Sequence, residues 1–359
     1  MKKILAVFLV LIMVLTLASC GNIDGNEGVD KNTGDNGEGK EIQEVPVTGV
    51  PEKQPEEIVT DPVETKEKTI VKSLSGPTTM GLAKLITDEK TNAESIYDFE
   101  VVTMAQDVVN GLVQGEIDIA AIPANLAATV FNKTQGKIQV AAINTLSVVY
   151  IVDNDGSIKT VEDLKGKTIY ATGQGQTPEY ILNTVLEGNG INPATDVTME
   201  FKSEATEVSS ILASQENVVA LLPQPFITVT QTKNDKVNVA LDLNEEWEKT
   251  QEGTVVTGVL VVNAEYAKNN KESFNKFLDD YKASVDFVKA NIDESSVMIE
   301  ELGVVKAPIA KKAMPSLNII YIDGEELKTN LNGYLDVLFK ANPQSVGGAI
   351  PGDEFYYIK

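Results

Sequence analysis

The residues that could do chemistry are defined first by what is missing. The chain has no histidine, and all 30 of its basic residues are lysines. A Ser-His-Asp triad, a histidine-ligated metal and imidazole acid–base catalysis are therefore excluded. So is a guanidinium fork gripping a carboxylate or phosphate at two points. Cys20 is the single cysteine, so no intramolecular disulfide can form. What remains is a set of short polar loops. Four of them follow apolar strand-like runs and lead into helix-like ones: Ser75-Gly76-Pro77-Thr78-Thr79-Met80, Pro123-Ala124-Asn125, Thr172-Gly173-Gln174-Gly175-Gln176-Thr177 and Pro223-Gln224-Pro225-Phe226.

Loops of this kind bind rather than catalyse. In open α/β sheets, ligands sit beyond the carboxyl ends of the strands. The N–H groups at a helix start are unpaired and carry partial positive charge, which suits an acceptor oxygen. Gly76, Gly173 and Gly175 let a ligand approach the backbone closely. Thr78, Thr79, Asn125, Gln174, Gln176 and Thr177 add neutral hydrogen-bonding groups, and none of the loops holds a lysine. Ordinary strand-to-helix turns favour the same residues, so it is the recurrence of four such loops that points to binding. Gly173-Gln174-Gly175 begins like a dinucleotide motif, but Pro178 stands where the third glycine belongs. Glu179 reads as a first-turn acid complementing the helix dipole, with contact to a cationic ligand group as the alternative. Trp247, the only tryptophan, reads as core or hinge packing. Glu245-Glu246 and Asp279-Asp280 read as solvated faces.

Alternating elements must position these loops. Strands are expected at 69–74, 99–104, 117–122, 138–143 and 147–152, and again at 167–172, 198–202, 218–222 and 237–241. Helical stretches separate most of them. A β-branched strand over 254–262 follows, then helices over 264–290, 294–301, 305–313 and 324–340. The alternation predicts an α/β fold with mostly parallel sheets flanked by helices. About 290 residues from Thr69 onward exceed what one core usually serves, so two lobes are expected, with a boundary within 153–168. The formal net charge of −23 argues against nucleic acid as a partner.

The N-terminus reads as an export signal. Lys2 and Lys3 precede an apolar run over 4–15, and Leu17-Ala18-Ser19-Cys20 resembles the lipobox of bacterial lipoproteins. That resemblance implies a signal peptide over 1–19 and lipidation of Cys20 by diacylglyceryl and palmitate-type chains. The protein would then be anchored on the extracytoplasmic face of the cell membrane, in a Gram-positive bacterium. Residues 20–68 are rich in Gly, Asn, Glu and Pro and poor in apolar residues, which predicts a disordered acidic tether.

Several segments of the body resemble the binding proteins of the nitrate/sulfonate/taurine/thiamine-precursor import group. They are Gln114-Gly115-Glu116-Ile117-Asp118-Ile119-Ala120-Ala121-Ile122-Pro123, Val161-Glu162-Asp163-Leu164-Lys165-Gly166-Lys167-Thr168-Ile169, Glu187-Gly188-Asn189-Gly190-Ile191-Asn192-Pro193, and the tail Asn342-Pro343-Gln344-Ser345-Val346-Gly347-Gly348 with Phe355-Tyr356-Tyr357. The resemblance implies a two-lobed, type II periplasmic-binding-protein-like fold with a ligand cleft between lobes. Lobe 1 would be 69–151 plus 257–359, and lobe 2 would be 152–256. Ligand positions would fall on Ser75, Gly76, Pro77, Thr78, Thr79, Pro123, Ala124, Asn125, Gly173, Gln174, Gly175, Gln176 and Gln224. Many anion-binding relatives place a basic side chain there, and this chain does not. The implied role is capture of a small organic molecule, thiamine-precursor-like, aromatic or sulfonate-like, and its delivery by a monomer to an ABC permease. No catalysis, cofactor or metal is expected. The alternatives are a ligand-sensing lipoprotein and an enzyme on the same fold. A histidine-consuming pyrimidine-forming enzyme is removed by the absence of histidine, and export argues against a cytoplasmic dehydratase.

Overall fold

The structure, a computed structural model, describes residues 68–359. The expected signal peptide, Cys20 and nearly all of the tether lie outside the described residues. Eleven strands follow in chain order: β1 (Thr69–Leu74), β2 (Tyr97–Val102), β3 (Ile119–Pro123), β4 (Ile138–Leu146), β5 (Val149–Asp153), β6 (Thr168–Thr172), β7 (Thr198–Lys202), β8 (Val219–Pro223), β9 (Asn238–Asp242), β10 (Val256–Asn263) and β11 (Ile319–Ile322). The helices of the first half are α1 (Pro77–Met80), α2 (Ala83–Thr91), α3 (Ala105–Gln114), α4 (Ala124–Thr134), α5 (Thr177–Gly188) and α6 (Ala205–Ser214). Those of the second half are α7 (Phe226–Gln231), α8 (Leu243–Glu248), α9 (Ala264–Asn269), α10 (Lys271–Ala290), α11 (Ile292–Glu301), α12 (Ala307–Ala313) and α13 (Gly324–Ala341).

Two sheets result, in the orders β11-β4-β10-β3-β1-β2 and β7-β6-β8-β5-β9. β3 (IAAIP) and β8 (VALLP) are buried on both faces up to their terminal proline, as continuous apolar runs covered by helices should be. The register sets one edge of each sheet apart. In the first sheet β1 and β3 run parallel, while antiparallel β10 pairs Gly258 with Pro123 and with Thr145 of β4. The ends of β1, β3 and β4 thus share an edge with the start of β10. In the second sheet β6 and β8 run parallel, and antiparallel β5 pairs Val149 with Pro223. Both passages of the chain between sheets, at 147–148 and through 243–255, leave from these edges.

The α/β class and the two sheets agree with the sequence reading, and several details differ. Both sheets are mixed rather than mostly parallel. Each time the chain crosses between the sheets it enters at the edge where parallel strands end, so β5 and β10 run against their neighbours. β5 lies wholly in the second sheet, so the change of sheet falls at Ser147–Val148, ahead of the 151/152 division. The second strand starts at Tyr97, and Met104, read as its end, is instead the exposed N-cap of α3. β11 was hidden in a tail read as helical; its four residues are too few for periodicity to reveal. The single helix expected over 264–290 breaks at Asn270, which caps both pieces.

Trp247 is fully buried, with its ring 6.0 Å from that of Tyr334 on α13, so its core role holds. The C-terminal tail is equally structural. Phe355 packs edge-on against Phe131 of α4 at 4.9 Å, and Tyr356 bridges to Val140 of β4.

Gly258 shows how tightly the first edge is built. A Cβ there would collide with Thr78 Cγ2 and Asn144 Oδ1. Gly258→Ala should cost roughly 1–3 kcal/mol by overpacking. Chemical denaturation of the variant against the parent chain checks this.

Candidate ligand-binding site

A cavity of about 630 Å³ opens where the two strand-end edges face each other. That volume lies within the range usual for small-molecule sites. From the first sheet and its helices come Pro123, Asn125, Thr129, Thr257 and Tyr334; from the second come Val148, Val149, Gly175, Gln176, Thr177, Pro178, Tyr180, Ile181 and Pro223. The tail after α13 adds Asn342, Gln344 and Ser345. Not one lining residue is charged.

The register explains the convergence. Pro123 ends β3 and is the residue before α4, while Pro223 ends β8 in the second sheet. The loop after β6 reaches the cavity because Gly173 and Gly175 take positive φ values of 76° and 69°, a left-handed conformation that costs glycine little. The loop then enters α5 with Pro178 in its first turn.

The sequence-predicted residues divide into two groups. Pro123, Asn125, Gly175 and Gln176 line the cavity, whereas Ala124, Gly173, Gln174 and Gln224 do not. The stretch Ser75, Gly76, Pro77, Thr78 and Thr79 is also absent from the lining. Thr78 and Thr79 donate their hydroxyls to Leu74 O at 2.9 and 2.7 Å, and Thr79 also meets Ser73 Oγ at 2.6 Å. Thr78 also packs against the start of β10, its Cγ2 lying against Gly258. Gln224 is buried and spends its Oε1 on the Thr228 hydroxyl, which donates at 2.9 Å.

Three primary amides carry the polarity of the cavity. Among the described residues the side-chain amides of Asn125, Gln176 and Gln344 have no hydrogen-bond partner. Each offers donors and an acceptor. Asn342 is engaged: its Nδ2 donates to Tyr180 Oη at 2.9 Å, and Tyr180 Oη donates to Gly175 O at 2.6 Å. This chain of bonds joins the tail to the α5 loop across the mouth of the cavity. Outside the lining, Tyr150 Oη of the second sheet donates to Ser316 O at 2.7 Å, and Asn318 Nδ2 donates to Ser147 O at 2.6 Å. Burial raises the pKa of the Tyr150 hydroxyl, so it remains a donor throughout the ordinary pH range.

Asn342, Gln344, Ser345 and Tyr334 were not anticipated as site residues. The tail motif was noted as a resemblance, but its place in the cavity depends on long-range packing. Asn132 Nδ2 on α4 donates to Val346 O and Ala349 O, both at 2.8 Å. Gly347, at φ 84°, passes so close to α4 that an added Cβ would lie 2.8 Å from Thr129 Cα. The Asn-Pro pair after a long amphipathic helix was the available signal, because Asn342 Oδ1 caps the next turn by accepting from Gln344 N.

No helix among the described residues is long and apolar enough to cross a membrane. Nor does any group of three or more acidic side chains there form a metal-binding cluster.

The architecture is that of the periplasmic binding proteins: two α/β sheets with a cavity between the strand ends. Residues 137–295 match the family model described as NMT1/THI5 like. The solved structure of an ABC transporter from Parabacteroides distasonis aligns with a TM-score of 0.68 at 22% identity, covering 81% of this chain and 99% of that one. The periplasmic aliphatic sulphonate binding protein SsuA from Escherichia coli aligns at 0.63 and 16% identity, over 79% and 90% of the two chains. The ligand binding component of an ABC-type import system from Staphylococcus aureus, with zinc bound, aligns at 0.59 and 16%, over 81% and 97%. Comparison with curated protein sequences gives no significant match. These findings agree with the resemblance read from the sequence motifs.

Tyr180→Phe should break the bond chain from Asn342 to Gly175 while keeping the ring. Its expected effect is a loss of about 1 kcal/mol of stability. Hydrogen exchange should also quicken at 342–345 and 175–176 together, and amide exchange read by mass spectrometry checks both sides at once.

Proposed function

We propose that the protein is an extracytoplasmic solute-binding lipoprotein that captures a small organic molecule between its two lobes and delivers it to an ABC permease. The observation that carries this reading is the set of three unpartnered amides in one uncharged cavity between two sheets. Asn125 is half-buried and Gln176 and Gln344 are exposed, so all three amides are free to exchange water for the polar groups of a ligand. The name of the sulphonate-binding structural neighbour and the family-model match support a transport role.

The two sheets act as lobes, with 147–148 and 243–255 as the connecting hinge. Closure is favoured by a ligand to the extent that it binds the closed form better than the open one. The Asn342–Tyr180–Gly175 chain contributes to the closed form. The export signal and Cys20 lipidation read from the sequence would hold the monomer at the membrane beside its permease. Nothing in the cavity resembles a catalytic pair: it holds no acid, no base and no cysteine.

A ligand screen by thermal shift on the full-length chain tests the reading. The panel holds thiamine and its pyrimidine precursors, taurine, aromatic sulfonates, nitrate, riboflavin and small carboxylates. A true ligand at one hundred times its Kd should stabilise the chain by roughly 2.7 kcal/mol, a shift of several degrees. Asn125→Ala and Gln176→Ala should each weaken that ligand about tenfold while leaving the free protein's Tm nearly unchanged. A hit whose affinity ignores both substitutions contradicts the site.

A further inference from the structure

The cavity faces two helix starts of different electrostatic character. α4 opens after Pro123 with no side-chain cap, and Asn125 of its first turn lines the cavity. Its leading N–H groups suit an acceptor atom of the ligand. The loop before α5 differs. Gly175 also lines the cavity, but its N–H donates to Glu179 Oε2 at 2.6 Å. The carbonyl of the same residue is taken by the Tyr180 hydroxyl at 2.6 Å. A carboxylate therefore occupies the backbone donor that an anion on this wall would need. No lysine lines the cavity to offset it.

We infer that Glu179 is a specificity-determining residue that makes the cavity reject anions. The inference rests on the binding role proposed above. An accepted ligand presents an acceptor to the start of α4 and an N–H donor to the free side-chain amide oxygen of Gln176 on the α5 wall. The apolar faces of Pro123, Pro178, Pro223 and Ile181, with the rings of Tyr180 and Tyr334, suit a ring-sized body between those ends. A sulfonate or carboxylate would meet a like charge across the Gly175 loop with no compensating cation. Discrimination by such a repulsive element is a recognised route to specificity. Glu179 also shapes its own loop, so the decisive readout is charge selectivity rather than stability.

Two probes on the full-length chain and on Glu179→Gln test this by amide NMR. Glutamine keeps an acceptor oxygen for the Gly175 N–H and removes the charge. Inorganic sulfate should leave the Gly175 resonance of the parent chain unmoved. In the variant it should give a saturable shift, with affinity gained on the order of tenfold or more. Nicotinamide and nicotinate form a pair matched in shape and different in charge. The parent chain should prefer nicotinamide by roughly tenfold or more, and the variant should lose that preference. Saturable sulfate binding at Gly175 in the parent chain overturns the inference, as does a nicotinamide-to-nicotinate ratio unchanged by the substitution. In both cases shifts at Asn125 and Gln176 would leave the binding role standing. If neither probe moves Asn125 or Gln176 in either protein, the inference is overturned, because removing the charge has then not opened the wall to an anion.

Discussion

The structure depends on one constraint of connectivity: the chain passes between its two sheets only at the edges where parallel strands end. Because the passages start there, the strand that follows each passage runs against its neighbours. β10 enters between β3 and β4, and β5 enters beside β8. This places Thr257 and Gly258 next to Pro123, and Val149 next to Pro223. The two edges then enclose one cavity. Gly258 is the tightest point of the arrangement, since Thr78 and Asn144 fill the space a side chain would need. The loop after β1 serves this packing, which is why its threonines turn their hydroxyls toward their own backbone.

The electrostatic character of the cavity contrasts with that of the chain. The sequence carries 53 acidic residues against 30 basic ones, yet no charged side chain lines the cavity. Amides and hydroxyls carry its polarity instead. Such groups offer donors and acceptors in fixed positions without the desolvation cost of a buried charge. Selectivity in a site of this kind comes from geometry and from the repulsion of unwanted ligands more than from net attraction.

Much of the fold was legible because the strands carry strong local signals. β3 and β8 are short apolar runs, β6 alternates buried and more exposed residues, and β10 is rich in valine. The strand direction of β5 and β10 was not legible, because local pattern carries no information on which neighbour a strand will pair with. The site was legible in part for the same reason. Asn125 and Gln176 follow their strands at once, so local reasoning reached them. Asn342 and Gln344 lie far along the chain and arrive through the packing of Val346 and Phe355 against α4. Thr78 and Gln224 have side chains suited to ligands, but the Thr78 hydroxyl proton goes to Leu74 O and Gln224 Oε1 accepts from Thr228. Sequence pattern cannot show that competition.

The central claim is that one ligand is held by both sheets and the tail together. Hydrogen exchange of the full-length chain, with and without its ligand, tests it most directly. The account predicts simultaneous protection of 124–129, 175–181 and 342–345 on binding. Protection confined to one of these segments would contradict it. So would protection centred on the separate surface cavity around 213–217 and 233–238.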